Sequence, residues 1–485
     1  MATNYSSFLR FPFGLVLVLF LIGCSSKKVE ANGFKELTAD VHYHSHVIEL
    51  SSLMPAEVCS TPPKVSGAEN LSKPLQVAHK YGPCSPLKNG NTTIPSPHQI
   101  VLDDEIRVKY LNSKTSKNQT TVLQDSAVRI PANSGLSLGT GNFVVNIGLG
   151  TPMQEFTVEF DTGSDLTWIQ CQPCSGQCHR QKDPYFNRSA SSTHSSVPCG
   201  SNDCNQLKSA TGNSQACTTT CTYRIGYGDG SYSGGYYARD KLTLSSSDVF
   251  PNFRFGCGEN NQGLFGTSDG LLGLGRDNVS TVSQTIQKYG NIFSYCLPST
   301  TSSTGYLAFG SQAGTTPRIF NTPLLVNSNR PNFYFLSMTG ISVGGKKLAI
   351  SPAVFTTSGT LIDSGTVVTR LAPTAYAALR SAFRQAMSNY PRAVSTSFMD
   401  TCYNLSGYSN VVLPTIVLHF YRYTDLNVHP SGILFQLSST QHCLAFAGNR
   451  ADTDFGILGN KQQQTFEVVY NVAAGKLGFG AGGCR

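Results

Sequence analysis

Two parts of the chain repeat the same local pattern, and this repeat constrains the fold more than any other feature. In each part an apolar run ends in an aspartate, followed by a hydroxyl residue, a glycine and a second hydroxyl residue, at 161–164 and 363–366. Two apolar residues and a glycine follow each motif, at 271–273 and 457–459. The repeat predicts two lobes of one design that meet near the Gly, Thr and Pro cluster at 310–323.

The composition favours β-structure. Charged residues make up 13% of the chain, about half the usual quarter, and there are 46 glycines. From residue 141 onward, alternating apolar residues and Gly or Asn turns predict short strands and hairpins. One helix is predicted after Pro373, with an apolar stripe formed by Tyr376, Leu379, Phe383 and Met387. We therefore predict an all-β, bilobal fold with a few short helices and pseudo-two-fold symmetry.

The first residues have the features of a secretory signal peptide. Arg10 precedes an apolar run at 13–23, which has the length of a signal core and is too short to span a bilayer. The sequence LIGC, ending at Cys24, also looks like a bacterial lipoprotein cleavage box, so a lipid on that cysteine is an alternative. We predict export to the extracellular space or apoplast, with the vacuole or chloroplast as alternatives, and no membrane span.

The residues that follow the leader are polar and rich in Lys, Asn, Ser and Pro. One helix is predicted here, where Leu102, Ile106 and Tyr110 recur at every fourth position. Such a segment before a glycine-rich body is typical of a removable propeptide, and a disordered linker is the alternative. The predicted divisions are a signal peptide, a propeptide, an N-terminal lobe and a C-terminal lobe, at 1–24, 25–125, 126–315 and 316–485.

The repeated aspartates suggest acid-base chemistry. Each one ends a strand with one buried face, and Gly163 or Gly365 removes a Cβ where the backbone must pass close. If the lobes pack face to face, Asp161 and Asp363 share one site, and two carboxylates that close cannot both ionise. The ionised member can then take a proton from water while the protonated member donates to a peptide carbonyl oxygen. The pattern predicts peptide hydrolysis without a metal, a cofactor or a covalent intermediate.

These motifs resemble the pepsin-like aspartic proteases, over about 142–485 of the chain. Within that family the chain is similar to the plant atypical, nepenthesin-type branch, because no saposin-like insert is present. Two aspartates that share one proton are the established case of this family. The resemblance implies that Asp161 and Asp363 are the catalytic pair.

The resemblance also implies roles for neighbouring residues. Ser164 and Thr366 match the hydroxyls that bond the outer carboxylate oxygens. Thr162 and Ser364 match the pair that forms hydrogen bonds across the lobes. Asp165 departs from many animal relatives, which carry a serine there; we expect it to form a surface ion pair, with an effect on the titration of the dyad as the alternative.

A tyrosine and the single tryptophan fit a substrate-covering flap. Tyr227 matches the flap tyrosine of the family, and a hairpin with glycines on both sides of Asp229 can close over a substrate, although any Gly-rich hairpin looks similar. Trp168 lies seven residues after Asp161, where the family places an indole that hydrogen-bonds to the flap tyrosine. A core aromatic is the alternative reading of that tryptophan.

The cysteines predict disulfides. Twelve of the 15 lie in the presumed mature body, an even number that suits an exported chain. The sequence CQPCSGQC with the adjacent His179 leaves a redox pair or a zinc site as alternatives. The family resemblance implies the pairs Cys171–Cys174, Cys178–Cys257, Cys199–Cys221, Cys204–Cys217, Cys296–Cys484 and Cys402–Cys443. The sequence does not decide whether Cys59 pairs with Cys84.

The charge pattern and the glycosylation sequons bear on partners and on export. The formal charge of +8 is scattered without a basic tract, so nucleic acid is not expected as a partner. A similarity to plant proteins described as chloroplast nucleoid DNA-binding proteases leaves open a phosphate contact by Arg380, Arg384 and Arg392. Sequons that suit export begin at Asn187, Asn278 and Asn404.

We predict a secreted aspartic endopeptidase, made as a zymogen, that hydrolyses polypeptides at acidic pH as a monomer. The resemblance implies a preference for apolar residues beside the cut. The alternative is a catalytically silent binding protein on the same fold, like pepsin-like relatives that inhibit plant cell-wall hydrolases; such relatives typically have a damaged dyad or flap, and both motifs are intact here. The sequence leaves open whether Lys80 or another basic residue of the propeptide masks the dyad.

Overall fold

The computed structural model describes residues 44–54, 56–60, 74–87, 94–113, 143–212, 217–227, 230–396 and 398–484. The predicted signal peptide and the predicted boundary at residue 126 lie outside this part of the chain. All described residues belong to one compact unit. We call 44–113 the N-terminal segment, 143–315 the N-terminal half and 316–484 the C-terminal half.

Short strands account for most of the regular structure. In chain order, the strands of the N-terminal segment and the N-terminal half are β1 (Ser45–Glu49), β2 (Leu75–His79), β3 (Phe143–Leu149), β4 (Gln154–Asp161), β5 (Trp168–Gln170), β6 (Ser195–Ser196), β7 (Thr222–Gly226), β8 (Tyr232–Ser245), β9 (Asp248–Gln262), β10 (Gly270–Gly273), β11 (Ile292–Cys296) and β12 (Thr304–Phe309). Those of the C-terminal half are β13 (Ile319–Pro323), β14 (Leu325–Asn327), β15 (Arg330–Leu336), β16 (Met338–Val343), β17 (Lys346–Lys347), β18 (Thr360–Ile362), β19 (Thr369–Leu371), β20 (Cys402–Asn404), β21 (Asn410–Pro414), β22 (Ile416–Phe420), β23 (Thr424–Asn427), β24 (Leu434–Gln436), β25 (Gln441–Leu444), β26 (Phe446–Gly448), β27 (Gly456–Leu458), β28 (Phe466–Asn471) and β29 (Lys476–Ala481).

Among the described residues, helices are few and mostly short. They are α1 (Pro97–Ser113), α2 (Asn202–Thr211), α3 (Thr281–Gln284), α4 (Ile286–Tyr289), α5 (Ala353–Thr356), α6 (Pro373–Ala386) and α7 (Asn460–Gln463). Helix α6 is the one predicted after Pro373, which occupies its first turn, and its apolar stripe is buried as expected.

The two halves repeat one strand arrangement around their aspartates. Strand β10 lies parallel to β4 and antiparallel to β5, and β27 lies parallel to β18 and antiparallel to β19. Strands β5 and β19 each add a parallel neighbour, β9 and β26. The apolar-apolar-Gly motif therefore forms the strand beside the aspartate strand in both halves. The predicted all-β fold with internal symmetry is confirmed.

The N-terminal segment is part of the folded body. Strand β2 lies between β12 and β3 in a 14-stranded sheet that contains strands from both halves, and β1 pairs with β21 of the C-terminal half. Lys80, directly after β2, is buried and forms an ion pair with Glu159. In its described parts, this segment is therefore not the disordered linker considered as an alternative.

The buried face of α1 differs from the predicted one. Leu102 and Ile106, which define the predicted stripe, are 43% and 39% exposed. The buried residues instead include Asp104 and Arg107, on one helical face with Val101, Val108 and Leu111. The apolar period was wrong because the side chains that dock this helix include charged ones, which a hydrophobicity pattern assigns to solvent.

Four of the predicted disulfides are wrong, and the pairs Cys296–Cys484 and Cys402–Cys443 are present. The N-terminal half instead contains Cys171–Cys257, Cys174–Cys178, Cys199–Cys217 and Cys204–Cys221. Pairing of β5 with β9 places Ile169 opposite Cys257, which brings the nearby Cys171 to that partner rather than to Cys174. In the N-terminal segment, Cys59 pairs with Cys84.

Candidate active site

The repeated motifs bring the two aspartates together between the halves. Asp161 ends β4 and Asp363 follows β18, and their exposed fractions are 3% and 0%. A Cβ on Gly163 would lie 2.7 Å from Oδ1 of Asp363, and a Cβ on Gly365 would lie 2.7 Å from Oδ1 of Asp161. Each glycine therefore allows the opposite carboxylate to approach its backbone, as the sequence pattern suggested.

Hydrogen bonds also join the loops that contain the two motifs. The backbone N–H of Thr162 donates to Oγ of Ser364 at 3.1 Å, and the N–H of Ser364 donates to Oγ1 of Thr162 at 2.9 Å. In addition, the N–H groups of Gly163 and Gly365 donate to Oδ1 of the aspartate in their own loop at 3.0 Å. These reciprocal bonds fix the spacing of the two carboxyl groups.

The outer carboxylate oxygens are held unequally. Oγ1 of Thr366 donates to Oδ2 of Asp363 at 2.5 Å. Within the described residues, by contrast, the buried Oγ of Ser164 and Oδ2 of Asp161 make no hydrogen bond. The contact expected for Ser164 is therefore absent, because the donors that orient Asp161 converge on Oδ1.

One arginine of the N-terminal segment binds both carboxylates of the dyad. Nη2 of Arg107 donates to Oδ1 of Asp161 at 2.9 Å and to Oδ1 of Asp363 at 3.0 Å, and Nε donates to Oδ2 of Asp363 at 3.0 Å. The guanidinium thus satisfies both carboxylates at once. The sequence left open whether Lys80 or another basic residue of the propeptide masks the dyad. In the structure Arg107 of helix α1 binds the dyad, whereas Lys80 pairs with Glu159.

A second charged residue of α1 docks beside the dyad. The carboxylate of Asp104 accepts from the N–H groups of Val367 and Val368 at 2.6 and 3.2 Å, and from Nη2 of Arg370 at 2.9 Å. The guanidinium of Arg370 also lies 3.9 Å from the ring centroid of Phe398. Sequence reasoning missed both Asp104 and Arg370, because neither lies in a repeated motif.

Tyr227, the expected flap tyrosine, is in contact with Trp168. Nε1 of Trp168 donates to the hydroxyl of Tyr227 at 2.7 Å, and Phe265 packs edge-on against both rings. The hydroxyl of Tyr110 in α1 donates to the carbonyl oxygen of Gly226, next to the flap tyrosine, at 2.9 Å. The turn residues 228 and 229 lie outside the described residues.

Burial governs the ionisation of the site. Burial raises the pKa of Asp363, Arg107 opposes that rise and the neighbouring Asp161 adds to it. Burial also raises the pKa of Asp165 to about 8, against a hydrogen bond from the N–H of Asp277. The surface ion pair expected for Asp165 is therefore wrong: the residue is 4% exposed, because its carboxylate anchors the loop at Asp277.

Three further expectations concern a phosphate contact by arginines, a metal site and a membrane span. The arginines around α6 converge on one residue: Arg380 pairs with the carboxylate of Asp400, and Arg384 and Arg392 donate to its carbonyl oxygen. Among the described residues, no group of three or more His, Cys, Asp or Glu side chains is arranged to hold a metal ion. No described helix is long and apolar enough to cross a membrane.

Comparison with known proteins gives the family. Two protein-family models, described as Xylanase inhibitor N-terminal and Xylanase inhibitor C-terminal, match residues 143–311 and 333–481. An aspartyl protease family protein of Arabidopsis thaliana is 46% identical over 475 residues, which cover 97% of this chain and 98% of the relative. The chain belongs to the plant pepsin-like aspartic protease family.

Other members of the family agree with this assignment. Aspartic proteinase nepenthesin-1 of Nepenthes gracilis is 38% identical and covers 71% of this chain and 79% of its own length. Among solved structures, edgp matches with a TM-score of 0.58 at 21% identity, over 72% of this chain and 92% of its own, which supports the fold alone. On its similarity to named proteases, the protein is an aspartic protease, a hydrolase that acts on peptide bonds.

Proposed function

We propose that this protease is a secreted zymogen whose mature form hydrolyses peptide bonds at acidic pH through Asp161 and Asp363. The observation that carries the proposal is the buried contact between the two motifs, which puts both carboxyl groups on one guanidinium. One nitrogen, Nη2 of Arg107, bonds to Oδ1 of both residues, so the two carboxyl groups are close enough to influence each other's ionisation once the cation leaves. The residues 25–125 then act as the propeptide that the leader and composition predicted.

The two carboxyl groups have different roles in this proposal. Burial raises the pKa of Asp363, which favours the shared proton on that residue. Asp161 takes a proton from the attacking water, and Asp363 donates its proton to the carbonyl oxygen of the scissile bond. The tetrahedral diol collapses when Asp161 gives its proton to the leaving amine and Asp363 takes a proton from a diol hydroxyl, and no covalent intermediate with the enzyme forms.

The site also needs a cover that excludes bulk water. The hydrogen bond between Trp168 and Tyr227 holds the flap tyrosine toward a cleft of about 500 Å³ that includes Asp161 and Asp165. Closure of the flap hairpin over a bound peptide would hold it against the dyad. In the zymogen Tyr110 and Arg107 line the same cleft, and Arg107 binds the dyad, so substrate and propeptide compete for it.

Hydrolysis by processed protein tests the catalytic proposal. Quenched fluorescent peptides with apolar residues beside the cut are incubated from pH 3 to pH 7 with the wild type, Asp161→Asn and Asp363→Asn. We expect activity at acidic pH for the wild type and a loss of at least about a thousandfold in each variant, because the two carboxyls act as one unit. Equal activity in all three proteins would contradict the assignment.

Latency tests the zymogen proposal. In the full chain, Arg107→Gln removes the cation from the dyad, and Lys109→Gln removes an exposed charge from the same helix. We expect Arg107→Gln to cleave peptides before processing, or to process faster on acidification, while Lys109→Gln stays as latent as the wild type. Identical latency of Arg107→Gln and the wild type would refute a masking role.

The names of the family models support one alternative, a binding protein that inhibits a xylanase. The intact motifs favour catalysis instead, because both aspartates, both glycines and the flap tyrosine are in contact with their expected neighbours or with the masking arginine. Inhibition of a xylanase by the Asp161→Asn protein, without peptide cleavage by the wild type, would favour the alternative.

A further inference from the structure

The docking site of Asp104 has the features of a binding site in its own right. Three N–H donors converge on one carboxylate: the backbone of Val367 and Val368, and Nη2 of Arg370. Asp104, Arg370 and the two valines are almost fully buried while α1 is present. The donors come from the C-terminal half and the acceptor comes from the N-terminal segment, so release of α1 separates them.

Removal of α1 would leave these donors without their acceptor. Nε of Arg370 already makes no hydrogen bond within the described residues, and only Glu105, also in α1, lies near Nη1, at 3.2 Å. A buried guanidinium without a counter-charge is unfavourable, so the site requires another anion or water after processing. The face of Phe398 keeps Arg370 in place meanwhile, because ring and guanidinium stack at 3.9 Å.

The donor set distinguishes a carboxylate from its neutral isostere. Both oxygens of Asp104 accept hydrogen bonds from N–H groups, and none of these groups can accept one. An amide in the same position would turn its NH₂ toward a donor and lose a hydrogen bond. The arrangement is therefore selective for an ionised carboxylate, not for polar side chains in general.

The site lies within reach of a peptide bound at the dyad. Val367 and Val368 follow Asp363 by four and five residues, and Asp104 precedes Arg107 by three in the same helix. Three residues in a helix rise about 4.5 Å, and an extended peptide covers that distance in one or two residues. An acidic side chain near the scissile bond can thus take the place of Asp104.

We propose that Val367, Val368 and Arg370 form a subsite of the mature protease for an acidic residue of the substrate, which Asp104 occupies in the zymogen. This inference rests on the proposed function, since it names the substrate class of the same cleft. It adds to the apolar preference a preference for an acidic residue at one further position. The propeptide and the substrate then bind both this subsite and the dyad.

A peptide scan with the processed wild type tests this subsite. Quenched peptides with one apolar cleavage site carry Asp or Glu, or the matched Asn or Gln, at each position from four residues before to four after the cut. At pH 5 most side-chain carboxylates of the peptides are ionised. We expect one position where kcat/KM is at least tenfold higher for the acid than for its amide. Cleavage of neutral peptides without an acidic preference at any position overturns the subsite and leaves the proposed function intact, whereas no cleavage of any peptide overturns both.

Two variants connect the preference to the arginine. Arg370→Gln should reduce the acid-to-amide ratio to within twofold, and Arg370→Lys should keep an intermediate ratio because it retains the charge without the planar fork. Arg392→Gln is the matched control, since that arginine donates to the carbonyl oxygen of Asp400, and the ratio should not change. An unchanged ratio in Arg370→Gln would overturn the assignment; the wild-type scan decides the matter if that variant does not fold.

Discussion

The two halves use one strand scaffold for different chemistry. Seven residues after its aspartate, the N-terminal half has Trp168 and the C-terminal half has Arg370, and each pairs with the strand of the apolar-apolar-Gly motif. Trp168 holds the flap tyrosine, whereas Arg370 holds Asp104 of α1. The symmetry of the fold therefore places two equivalent backbone positions on the two sides of the dyad. The side chain at each position decides whether it positions Tyr227 or binds an anion.

A second pair of equivalent positions separates the halves electrostatically. Four residues after its aspartate, the N-terminal half has the buried acid Asp165 and the C-terminal half has Val367. Burial also raises the pKa of Asp269 in the N-terminal half to about 8, and Asp183 adds to the rise. These two buried carboxyls of the N-terminal half are best accommodated as neutral acids, which agrees with the proposed acidic working range.

The largest expected difference between regions concerns cross-links. The Cys296–Cys484 disulfide closes a span of 188 residues across both halves, and Cys174–Cys178 closes 4 residues within one half. If chain entropy dominates, replacing both cysteines by alanine should lower the free energy of unfolding by about 5 kcal/mol for the first pair and about 2 kcal/mol for the second. Denaturant unfolding at fixed pH measures both; equal losses would show that loop length does not control the effect.

Asp165 predicts a loss of stability as the pH rises. Its folded pKa of about 8 lies above the ordinary value of 3.8, so between these values the folded state binds the proton more strongly than the unfolded state. The contribution therefore favours folding at low pH and is lost as the pH rises from about 4 to about 8. Asp165→Asn should gain about 4 kcal/mol relative to the wild type between pH 4 and pH 7, because the wild type loses about 1.4 kcal/mol per pH unit there.

Melting temperatures at these two pH values measure this difference. Glu155→Gln, which removes an exposed acid from the same half, is the control and should leave the pH dependence unchanged. Parallel pH profiles of Asp165→Asn and the wild type would contradict the role given to Asp165.

Glu467, in the C-terminal half, predicts the opposite sign. Burial alone would raise its pKa, but hydrogen bonds from Thr316, Ser294 and Gly314 hold the pKa of Glu467 below its usual range. Its stabilisation is present above the ordinary pKa and is lost as the pH falls through the folded one. Glu467→Gln should lower the free energy of unfolding by about 1.5 kcal/mol at pH 7 and by almost nothing at pH 2, measured by urea unfolding. A loss of the same size at both pH values would remove this contrast between Asp165 and Glu467.

The smallest expected effect concerns the flap. Tyr227→Phe deletes the acceptor of the Trp168 N–H and should reduce kcat/KM about fivefold, because one hydrogen bond of about 1 kcal/mol positions the flap. Tyr232→Phe is the matched control, since its hydroxyl bonds to Asn260 and Gln262 on the adjacent strand. Steady-state kinetics on the processed protein compares the two, and equal kcat/KM values would argue against a positioning role for Tyr227.

The sequence predicted those parts of the molecule in which a local pattern is sufficient. The dyad loops and α6 follow from motifs and apolar periods that need no knowledge of distant residues. The buried face of α1 and the docking of Asp104 and Arg107 could not be predicted from the sequence. Charged residues become core residues only where a partner from a distant part of the chain neutralises them. Four of the disulfides that the resemblance implied were wrong for a related reason: the β5–β9 pairing brings Cys257 to Cys171, and a local sequence pattern does not show it.

The position of β2 has a consequence for maturation. This strand forms ladders on both sides, with β12 and with β3, while β1 pairs with β21. Hydrolysis of the peptide chain between α1 and β3 would break one covalent bond but none of these ladders. The first product of maturation would therefore be a nicked two-chain particle, seen as two bands on a denaturing gel and as one species by native mass spectrometry, until the shorter polypeptide dissociates.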